Sequence, residues 1–579
     1  MGFSQSFLNE SIFSIYARNF GQPEPAAISF GLSAAWPAAL LIRLGLHASD
    51  AYASVAAIWF SVAFISAYKL CKLNNVPTSN AILGSVVWMS MPIIWQHSGY
   101  SMLSFGIALL PFYFLALIYL LTDTAQKQSG KYRQAAFTWT AAVISVFMDG
   151  YSFMMFASGG AIYLAYHFYI HRTQRSRIIF FCVPVFLFSI ASAYFLYTRY
   201  IGKTGFDQAP IDFFRGWGAD IAYFILPSNG VLWLFDTLDL SVARTSREQF
   251  GDSSVWTTTF CLPILILALA SWWRLRKNTP MATGALLLVL LGLYLSLGPS
   301  IKFFSIKPME LQLQDAQQHI SMMPPEYAIG PTGSEWVFRY LPGFKVMRAS
   351  YRWAALGIFG CWLLVMIAAG RLKKGRSIIA SIALVVLVLF NMPDLNKKWD
   401  YYTQNRELFF DIDEEALTEL SKALHPKERV TFLPYRNDFL INYLAPRLDI
   451  QTYNIGGDKN LASAERNWPS SVRQFDMGVI SHNQAEEMAL ILLNNDSDVI
   501  VVPYFDTLWG AHMWPCAAES GVPIETRNNS ESHPGCPSYL RKTLAPVIKR
   551  LQELEYLVVE DNYLYATVRT KPGISKRET

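Results

Sequence analysis

The sequence predicts a polytopic α-helical membrane protein of about ten spanning helices, followed by a carboxy-terminal extracytoplasmic α/β domain. Of the 579 residues, 52% are hydrophobic and only 16% are charged, a composition too apolar for a soluble chain of this length. The apolar residues are gathered in separate runs of helical length, and clusters of Lys and Arg follow alternate runs. The net charge of +5 comes mostly from short loops, and no glycine-rich phosphate loop or zinc-finger spacing occurs, so nucleic acid is not an expected partner.

Ten apolar runs are predicted to cross the membrane. Their approximate bounds are Ala51–Cys71, Asn80–Trp95, Met102–Leu121, Ala135–Met148, Tyr151–Ile170, Ile178–Tyr197, Val255–Trp273, Ala282–Leu297, Trp353–Gly370 and Ile378–Phe390. Basic clusters follow the first, third, fifth, seventh and ninth of these runs, for example Lys69 with Lys72, and Lys373 with Lys374. By the positive-inside rule those five ends face the cytoplasm. Residues 51–393 are thus a transmembrane domain whose long outer loops cover about 199–253 and 299–351.

Residues 1–50 are predicted to form an outer segment with interfacial helices. Ala26–Leu46 is fairly apolar but contains Pro37 and Arg43, which favours a helix at the interface over a span. No signal peptide is visible. Nothing precedes this segment to carry it across the membrane, so either it translocates unaided or an upstream helix is missing from the chain, and we favour the second explanation.

The tail, residues 394–579, is predicted to be a globular α/β domain outside the cytoplasm. Val430–Leu433 and Val499–Val502 resemble buried strands, and Tyr556–Val568 resembles a hairpin. Three segments have a helical pattern, namely Glu414–Leu424, Gln484–Leu493 and Leu540–Leu554. Cys516 and Cys536 are the only cysteines in this domain, and an oxidising compartment favours a disulfide between them over two unpaired thiols.

The stretch Leu341–Trp353 is the strongest candidate for a binding site. It carries Lys345, Arg348 and Arg352 directly before an apolar run, on the predicted outer side, where the positive-inside rule does not explain cations. Arg348 and Arg352 are four residues apart and would share one face of a helix. Arginine can bind two phosphate oxygens at once, so a lipid-linked phosphate is one interpretation. The other interpretation is that these side chains contact lipid headgroups or pair with carboxylates of the loops.

Two carboxylates are candidate catalytic groups. Glu24 lies between Pro23 and Pro25, which hold the backbone extended, as a general base in a fixed position would require. Asp149 lies where two apolar runs meet, and a carboxylate there is costly unless it is paired or hydrated. Asp149 could bind a metal, orient a hydroxyl or cap a helix, and Glu24 could be a solvated loop acid.

Three further residues are candidates for substrate binding. His97 ends the second run, where it could bind substrate or serve only as an interfacial hydrogen-bonding group. Arg215 lies in the first long loop between Asp212 and Asp220, with which it could simply pair. Glu335 lies in the second long loop, shortly before the basic stretch.

Several motifs resemble those of known membrane proteins. Leu297-Gly298-Pro299, Leu341-Pro342-Gly343-Phe344 and Arg348 to Trp353 are similar to YfhO-like multispanning proteins, and His97-Ser98-Gly99-Tyr100 and Leu109 to Pro111 have a similar character. The arrangement of spans, long outer loops and outer carboxy-terminal domain loosely resembles the GT-C class of glycosyltransferases.

This resemblance implies an enzyme that moves a sugar from a polyprenyl-phosphate carrier to a glycan, lipid or protein acceptor outside the cytoplasm. It implies an acidic base in the first outer loop, which Glu24 alone matches, and arginines at the carrier phosphate, which correspond to Arg348 and Arg352. The usual aspartate after the first helix of the class is not seen, so a base in a missing upstream segment is an alternative. Some members of the class need a divalent metal such as Mg or Mn. A bacterial inner membrane fits the class.

Two other functions remain open on the sequence. A lipid or polysaccharide transporter would favour internal repeats and charges deep within spans, and neither is seen. A non-catalytic membrane scaffold, in which the outer domain recruits a partner, is not excluded by any motif.

Overall fold

The structure is a computed structural model, and it describes residues 1–11, 13–122, 128–202, 208–318, 322–372, 377–508, 514–516 and 536–573. The basic residues Lys373 and Lys374 used for the topology lie outside these ranges. The chain divides into two compact units. We call Ala56–Arg199 with Asp207–Lys398 the helical unit, and Met1–Val55 with Tyr200–Phe206 and Trp399–Thr579 the sheet unit.

Each of the ten predicted apolar runs contains a helix. The helices are Ala48–Leu73, Thr78–Met89, Ser101–Ala108 continued by Leu110–Thr122, Gln128–Met148, Gly150–Ile170, Val183–Ile201, Leu262–Leu275, Pro280–Ser296, Ala354–Gly370 and Ser377–Asn391. Within the described ranges, five helices are long and apolar enough to cross a membrane, or six if Ser377–Asn391 and Leu395–Ala423, bent by 51°, count as one span. The protein is therefore an integral membrane protein, while ten spans remains a prediction.

The seventh run begins later than the sequence suggested. Ser253–Thr257 is a separate short helix, and the long helix starts only at Leu262. Two local signals explain the break: Asp252 caps the short helix by accepting from the Ser254 backbone N–H, and Pro263 occupies the first turn of the long helix. Proline is favoured there because the first N–H groups of a helix need no intrahelical partner.

Two helices of the helical unit pack backbone against backbone. A Cβ atom added to Gly292, in Pro280–Ser296, would lie 2.1 Å from the backbone nitrogen of Gly357, in Ala354–Gly370. A Cβ added to Gly360 would lie 2.8 Å from the backbone nitrogen of Val289. Glycines therefore permit this close approach, as small residues commonly do between membrane helices. The pairing fixes the position of the segment that immediately precedes Ala354.

The two long loops are folded, with short elements. The first loop contains Ile211–Gly216, Ile221–Ile225 and Trp233–Thr237. The second contains the helices Met309–Gln318 and Glu335–Tyr340 and an antiparallel pair, Ser300–Ile301 with Gly330–Pro331.

The sheet unit contains a five-stranded mixed sheet. Its strands are β1 (Arg429–Phe432), β2 (Gln451–Thr452), β3 (Val499–Pro503), β4 (Leu557–Asp561) and β5 (Tyr565–Thr570). Their spatial order is β2-β1-β3-β5-β4. β1 is parallel to both β2 and β3, whereas β5 is antiparallel to β3 and to β4. The main helices around it are Phe439–Arg447, Ala485–Leu493 and Pro537–Gln552.

The amino-terminal segment belongs to the same compact unit as the tail. Its helices Gly2–Glu10 and Leu32–Arg43 lie in the range predicted to hold interfacial helices. Phe3, Phe7 and Phe20 are buried in one hydrophobic core with residues of the tail. The backbone N–H of Gln22 donates to the Thr452 carbonyl (3.1 Å), and that of Thr452 donates to the Asn19 carbonyl (3.0 Å). The structure thus joins residues 1–55 to 399–579, where the sequence was divided into separate segments, because their apolar side chains share this core.

Candidate functional site

Tyr351 is the centre of a hydrogen-bonded cluster in the helical unit. Its side chain is fully buried, and its hydroxyl lies 3.1 Å from His97 Nε2 and 2.6 Å from Ser254 Oγ. Arg352 Nε donates to the same hydroxyl at 3.3 Å. One phenol therefore links three segments that are far apart in the sequence.

The basic stretch is not one continuous α-helix. Phe344–Val346 and Ser350–Trp353 are single 3₁₀ turns that precede Ala354–Gly370. The backbone N–H of Ala349 donates to the Tyr151 hydroxyl (2.8 Å), and the N–H of Tyr351 donates to the Trp217 carbonyl (3.0 Å). Because these donors bond outside the stretch, Arg348 and Arg352 do not share an α-helical face as their spacing suggested.

Arg352 lies between two tyrosine rings. Its guanidinium carbon is 5.0 Å from the centre of the Tyr151 ring and 5.7 Å from that of Tyr351, distances typical of cation–π contacts. Asp149 also attracts it electrostatically. The side chain is partly exposed, so a ligand can reach a cation whose orientation is fixed by aromatic neighbours.

Arg348 contacts a second aromatic group. Its guanidinium carbon lies 5.3 Å from the centre of the Phe213 ring. Phe213 in turn stacks on Trp217 at 5.4 Å, and Trp217 lies 6.3 Å from Tyr351. The two arginines are thus positioned by one continuous set of aromatic rings from the first and second long loops.

Asp149 caps the helix Gly150–Ile170. Its Oδ2 accepts from the backbone N–H of Ser152 (2.9 Å) and from the Ser152 hydroxyl (3.2 Å), and its side chain is 7% exposed. A Cβ at Gly106 would collide with Ser152 Oγ at 2.2 Å, so the helix Ser101–Ala108 packs tightly against this cap. The capping role offered by the sequence is present, together with electrostatic contact to Arg352.

His97 is buried and neutral. Nδ1 lies 2.7 Å from the Ile93 carbonyl, which can only accept, so Nδ1 carries the proton and Nε2 accepts from Tyr351. Burial, helped by the nearby Arg352, lowers the pKa of His97 to about 3. The imidazole therefore positions Tyr351 and does not carry charge at neutral pH.

Asp252 and Ser254 were missed by the sequence analysis. Asp252 caps Ser253–Thr257, contacts the Ser254 hydroxyl and is attracted by Arg352. Burial raises the pKa of Asp252, while Ser254 and Arg352 act in the opposite direction. The available signal was the Asp-Ser-Ser sequence of a helix cap, which by itself indicates only a helix start.

Arg215 has a role within the loops. It is 6% exposed; its Nη1 donates to the Met323 carbonyl (2.8 Å) and pairs with Asp212, and its Nε donates to Ser300 Oγ (2.9 Å). Lys302 lies beside it and donates to the Arg215 and Gly218 carbonyls. Burial lowers the pKa of Lys302 to about 7. These contacts hold the first long loop against the second. The ion pair with Asp212 is the alternative to substrate binding that the sequence analysis gave for Arg215.

Glu335 and Lys345 lie at the surface of the second loop. Glu335 forms an ion pair with Arg339 (2.7 Å), one helical turn away, in which both side chains are more than 40% exposed. Lys345 is exposed. In the described part of the chain, neither side chain forms a hydrogen bond or an ion pair with Tyr351 or Arg352, so their proposed substrate contacts remain predictions.

Glu24 lies in the sheet unit, on an exposed turn. Its catalytic role remains a prediction. In the same unit Cys516 and Cys536 form a disulfide whose Cα atoms are 4.8 Å apart.

The described residues do not offer a metal site. No group of three or more His, Cys, Asp or Glu side chains among them is placed to hold an ion. Asp149 and Asp252 both interact electrostatically with Arg352. The positive charge of this arginine disfavours a metal cation near the two carboxylates.

Comparison with known proteins gives structural matches alone. No protein-family model and no curated protein matches this chain. Two crystal structures of ArnT from Cupriavidus metallidurans are similar to it, one apo and one bound to undecaprenyl phosphate, each with a TM-score of 0.42 and 10% identity. The alignments cover 98% and 100% of this chain, and 92% and 94% of ArnT. A similarity of this size carries no inference about the site, so the function is argued from the residues of this chain.

Proposed function

We propose that this protein is a membrane glycosyltransferase that moves a sugar from a polyprenyl-phosphate carrier to a glycan, lipid or protein acceptor. The observation that supports it most directly is the position of Arg352, a partly exposed cation held by Tyr151 and Tyr351 and attracted electrostatically by Asp149. An anion-binding group and a carboxylate are the two functions that this transfer requires.

In this proposal Arg352 and Arg348 bind the carrier phosphate. An arginine fork can hold two phosphate oxygens. As the sugar leaves, negative charge grows on the phosphate oxygen that departs, and a fixed cation stabilises that charge more in the transition state than in the ground state. Tyr351, held by His97 and Ser254, keeps Arg352 in position for this.

Transfer itself is a direct displacement. The acceptor oxygen bonds to the anomeric carbon as the bond from that carbon to the phosphate oxygen breaks, and the electron pair leaves with the phosphate. The acceptor proton passes to a carboxylate acting as general base. Asp149 is our first choice for this base because it interacts electrostatically with Arg352, and Glu24 is the second because the family resemblance points to it. The anomeric configuration is inverted.

The location follows the charge pattern of the loops. We place the cluster, both long loops and the sheet unit outside the cytoplasm, in a bacterial inner membrane.

Undecaprenyl phosphate binding tests the proposal. The full chain in lipid nanodiscs should bind it, and Arg352→Gln should weaken binding at least tenfold, with Arg352→Lys intermediate because the charge remains while the fork is lost. Arg276→Gln is the matched control, since Arg276 also packs on aromatic rings, Trp272 and Trp273, at a predicted cytoplasmic loop. Equal affinity in Arg352→Gln, at an unchanged melting temperature, would rule the phosphate site out.

A further inference from the structure

The sheet unit contains a cavity of about 300 Å³. It is lined by side chains from the segments after β1 and β3 and by the helix Pro537–Gln552. Ligand sites in proteins have volumes of roughly 300–1,000 Å³, so the cavity suits a small molecule. Nothing in the proposed transferase mechanism uses it.

The cavity lies at the topological switch point of the sheet. The chain leaves β1 and returns on one side as β2, whereas β3 lies on the other side of β1. Pro434 and Arg436 follow the carboxyl end of β1, and Phe505 and Asp506 follow that of β3. In open α/β sheets, this crevice outside the carboxyl ends of parallel strands is where ligands characteristically bind.

Below the cavity, a buried hydrogen-bond network fixes the two loops. Asp438 is 1% exposed and accepts from Asn454 Nδ2 (2.7 Å), Thr507 Oγ1 (2.6 Å) and the Arg436 backbone N–H (3.1 Å). Arg436 and Thr507 both line the cavity. One carboxylate thus holds the loop after β1 against the loop after β3, and the cavity wall is pre-organised for a ligand.

The polar groups in the wall have complementary chemistry. The Arg436 side chain is partly buried, and no ion pair within 4.0 Å joins it to another residue that the structure describes. The Asp506 carboxylate and the hydroxyl-bearing side chains Tyr539 and Thr543 line the same space. Arg436 suits an anionic group, whereas Asp506 and the phenol suit the hydroxyls of a polyol.

The remaining wall is apolar. Val479, Ile480, Leu540 and Leu544 line it. A pyranose ring presents C–H groups on its faces and hydroxyls around its edge, so it matches a wall that is apolar on one part and polar on another.

We propose that this cavity binds a small anionic saccharide, a single sugar that carries a carboxylate or a phosphate. Arg436 binds the anionic group, Asp506 and Tyr539 bind ring hydroxyls, and the apolar side chains cover a face of the ring. The site lies within the sheet unit and is independent of the Arg352 cluster, so it goes beyond the transferase proposal.

The test uses the full chain in nanodiscs and three probes: glucuronate, glucose 1-phosphate and neutral glucose. Saturation-transfer NMR titrations give the dissociation constant of each. We expect at least one anionic probe to bind at least tenfold more tightly than glucose. The anionic probe that binds more tightly shows whether the site prefers a carboxylate or a phosphate.

Substitutions then connect binding to the cavity. Arg436→Gln should weaken binding of the preferred probe at least tenfold, and Arg436→Lys should retain part of the affinity. Arg473→Gln is the matched control, an exposed arginine of the same unit, and should bind as the parent does. Undecaprenyl phosphate binding should be unchanged in Arg436→Gln, which separates this proposal from the transferase one, and an unchanged melting temperature shows that the variant is folded. The proposal is overturned if neither anionic probe exceeds glucose, or if Arg436→Gln binds as tightly as the control.

Discussion

Asp149 combines a structural contact with a proposed chemical one, and substitution can separate the two. Asparagine keeps an oxygen that can accept from the Ser152 N–H, so Asp149→Asn should preserve the helix cap. It removes the basic carboxylate, so we expect transfer of sugar from the polyprenyl-phosphate donor to fall by roughly 100-fold or more. Turnover and melting temperature, measured on the same preparation, check this.

Two further variants complete that comparison. Asp149→Ala removes the cap as well and should lose about 1 kcal/mol of stability, which Asp149→Asn should not. Glu24→Gln should retain turnover within about twofold of the parent, as expected of an exposed charge outside the reaction. If Glu24→Gln is inactive and Asp149→Asn active, the base is Glu24 and the family resemblance was the better guide.

Asp438 should make the stability of the sheet unit depend on pH. Burial raises the pKa of Asp438 to about 7, whereas the pKa of an aspartate in an unfolded chain is about 3.9. The folded state therefore binds the proton more tightly, and its stability is greatest below the unfolded pKa and declines as pH rises through 7. The slope contributed by this one group is at most about 1.4 kcal/mol per pH unit.

Hydrogen exchange of the β1 and β3 amides between pH 5 and 8, corrected for intrinsic rates, measures this slope. Asp438→Asn should flatten it, since the side chain no longer titrates. A slope identical in parent and variant would assign the pH dependence to other groups.

Single residues also show what sequence patterns reveal of the site. Asp149 and His97 were candidates because an ionisable residue at the end of an apolar run is costly without a purpose. Arg352 was a candidate because the positive-inside rule does not explain a cation on the predicted outer side. Tyr351, whose hydroxyl links His97 and Arg352, was missed because an aromatic residue at such a position is typical of an interfacial belt. Ser254 lies 97 residues from Tyr351 along the chain, and only tertiary structure brings the two together.

Among the elements, the glycine contact between Pro280–Ser296 and Ala354–Gly370 has a measurable consequence. Gly292→Leu places a large side chain where the Gly357 backbone now lies, so the helices must separate. Overpacking of this kind costs typically about 1–3 kcal/mol. Because Ser350–Trp353 leads directly into the second helix, Arg352 should shift and undecaprenyl phosphate should bind more weakly.

Leu290→Ala is the control on the same helix, since Leu290 is 55% exposed. We expect it to leave binding unchanged. Unaltered binding in Gly292→Leu would mean that the arginine is held by the aromatic loops alone.

Elements were predictable where one local pattern determines them. Long apolar runs predicted the helices, and short runs rich in β-branched residues predicted β1 and β3. β2 was missed because it has two residues, Gln451 and Thr452, too few for any periodicity. The seventh helix was started too early because Val255 and Trp256 are apolar, although they belong to the separate capped turn.

For the whole molecule, the predicted orientation can be tested with single cysteines. Lys345→Cys, in the predicted outer loop, should react with a membrane-impermeant maleimide in intact spheroplasts. Lys131→Cys, at a predicted cytoplasmic end, should react only after the membrane is opened. Both positions are exposed.

The background labelling in this experiment should be low. The four free cysteines are buried, and Cys516 is joined to Cys536. Labelling of Lys131→Cys but not Lys345→Cys in intact spheroplasts would reverse the orientation.

Local sequence patterns could not predict that the amino-terminal segment and the tail belong to one compact unit. Gly2–Glu10 and Leu32–Arg43 are partly apolar on their own, and an apolar helix of that length is also typical of an interfacial segment. The amino-terminal segment has partners more than 400 residues away: Asn9 Nδ2 donates to the Pro446 carbonyl across a separation of 437 residues, and Asn19 Nδ2 donates to the Ile450 carbonyl across 431.

That shared core imposes an order on biosynthesis. When a ribosome has made residues 1–55, the tail residues with which Phe3, Phe7 and Phe20 share a core do not yet exist. The intervening helices must be inserted before residues 399–579 emerge to complete the core. Throughout that interval the aromatic side chains of the early segment lack the residues that cover them in the folded protein, and the shared core closes only after translation is nearly complete.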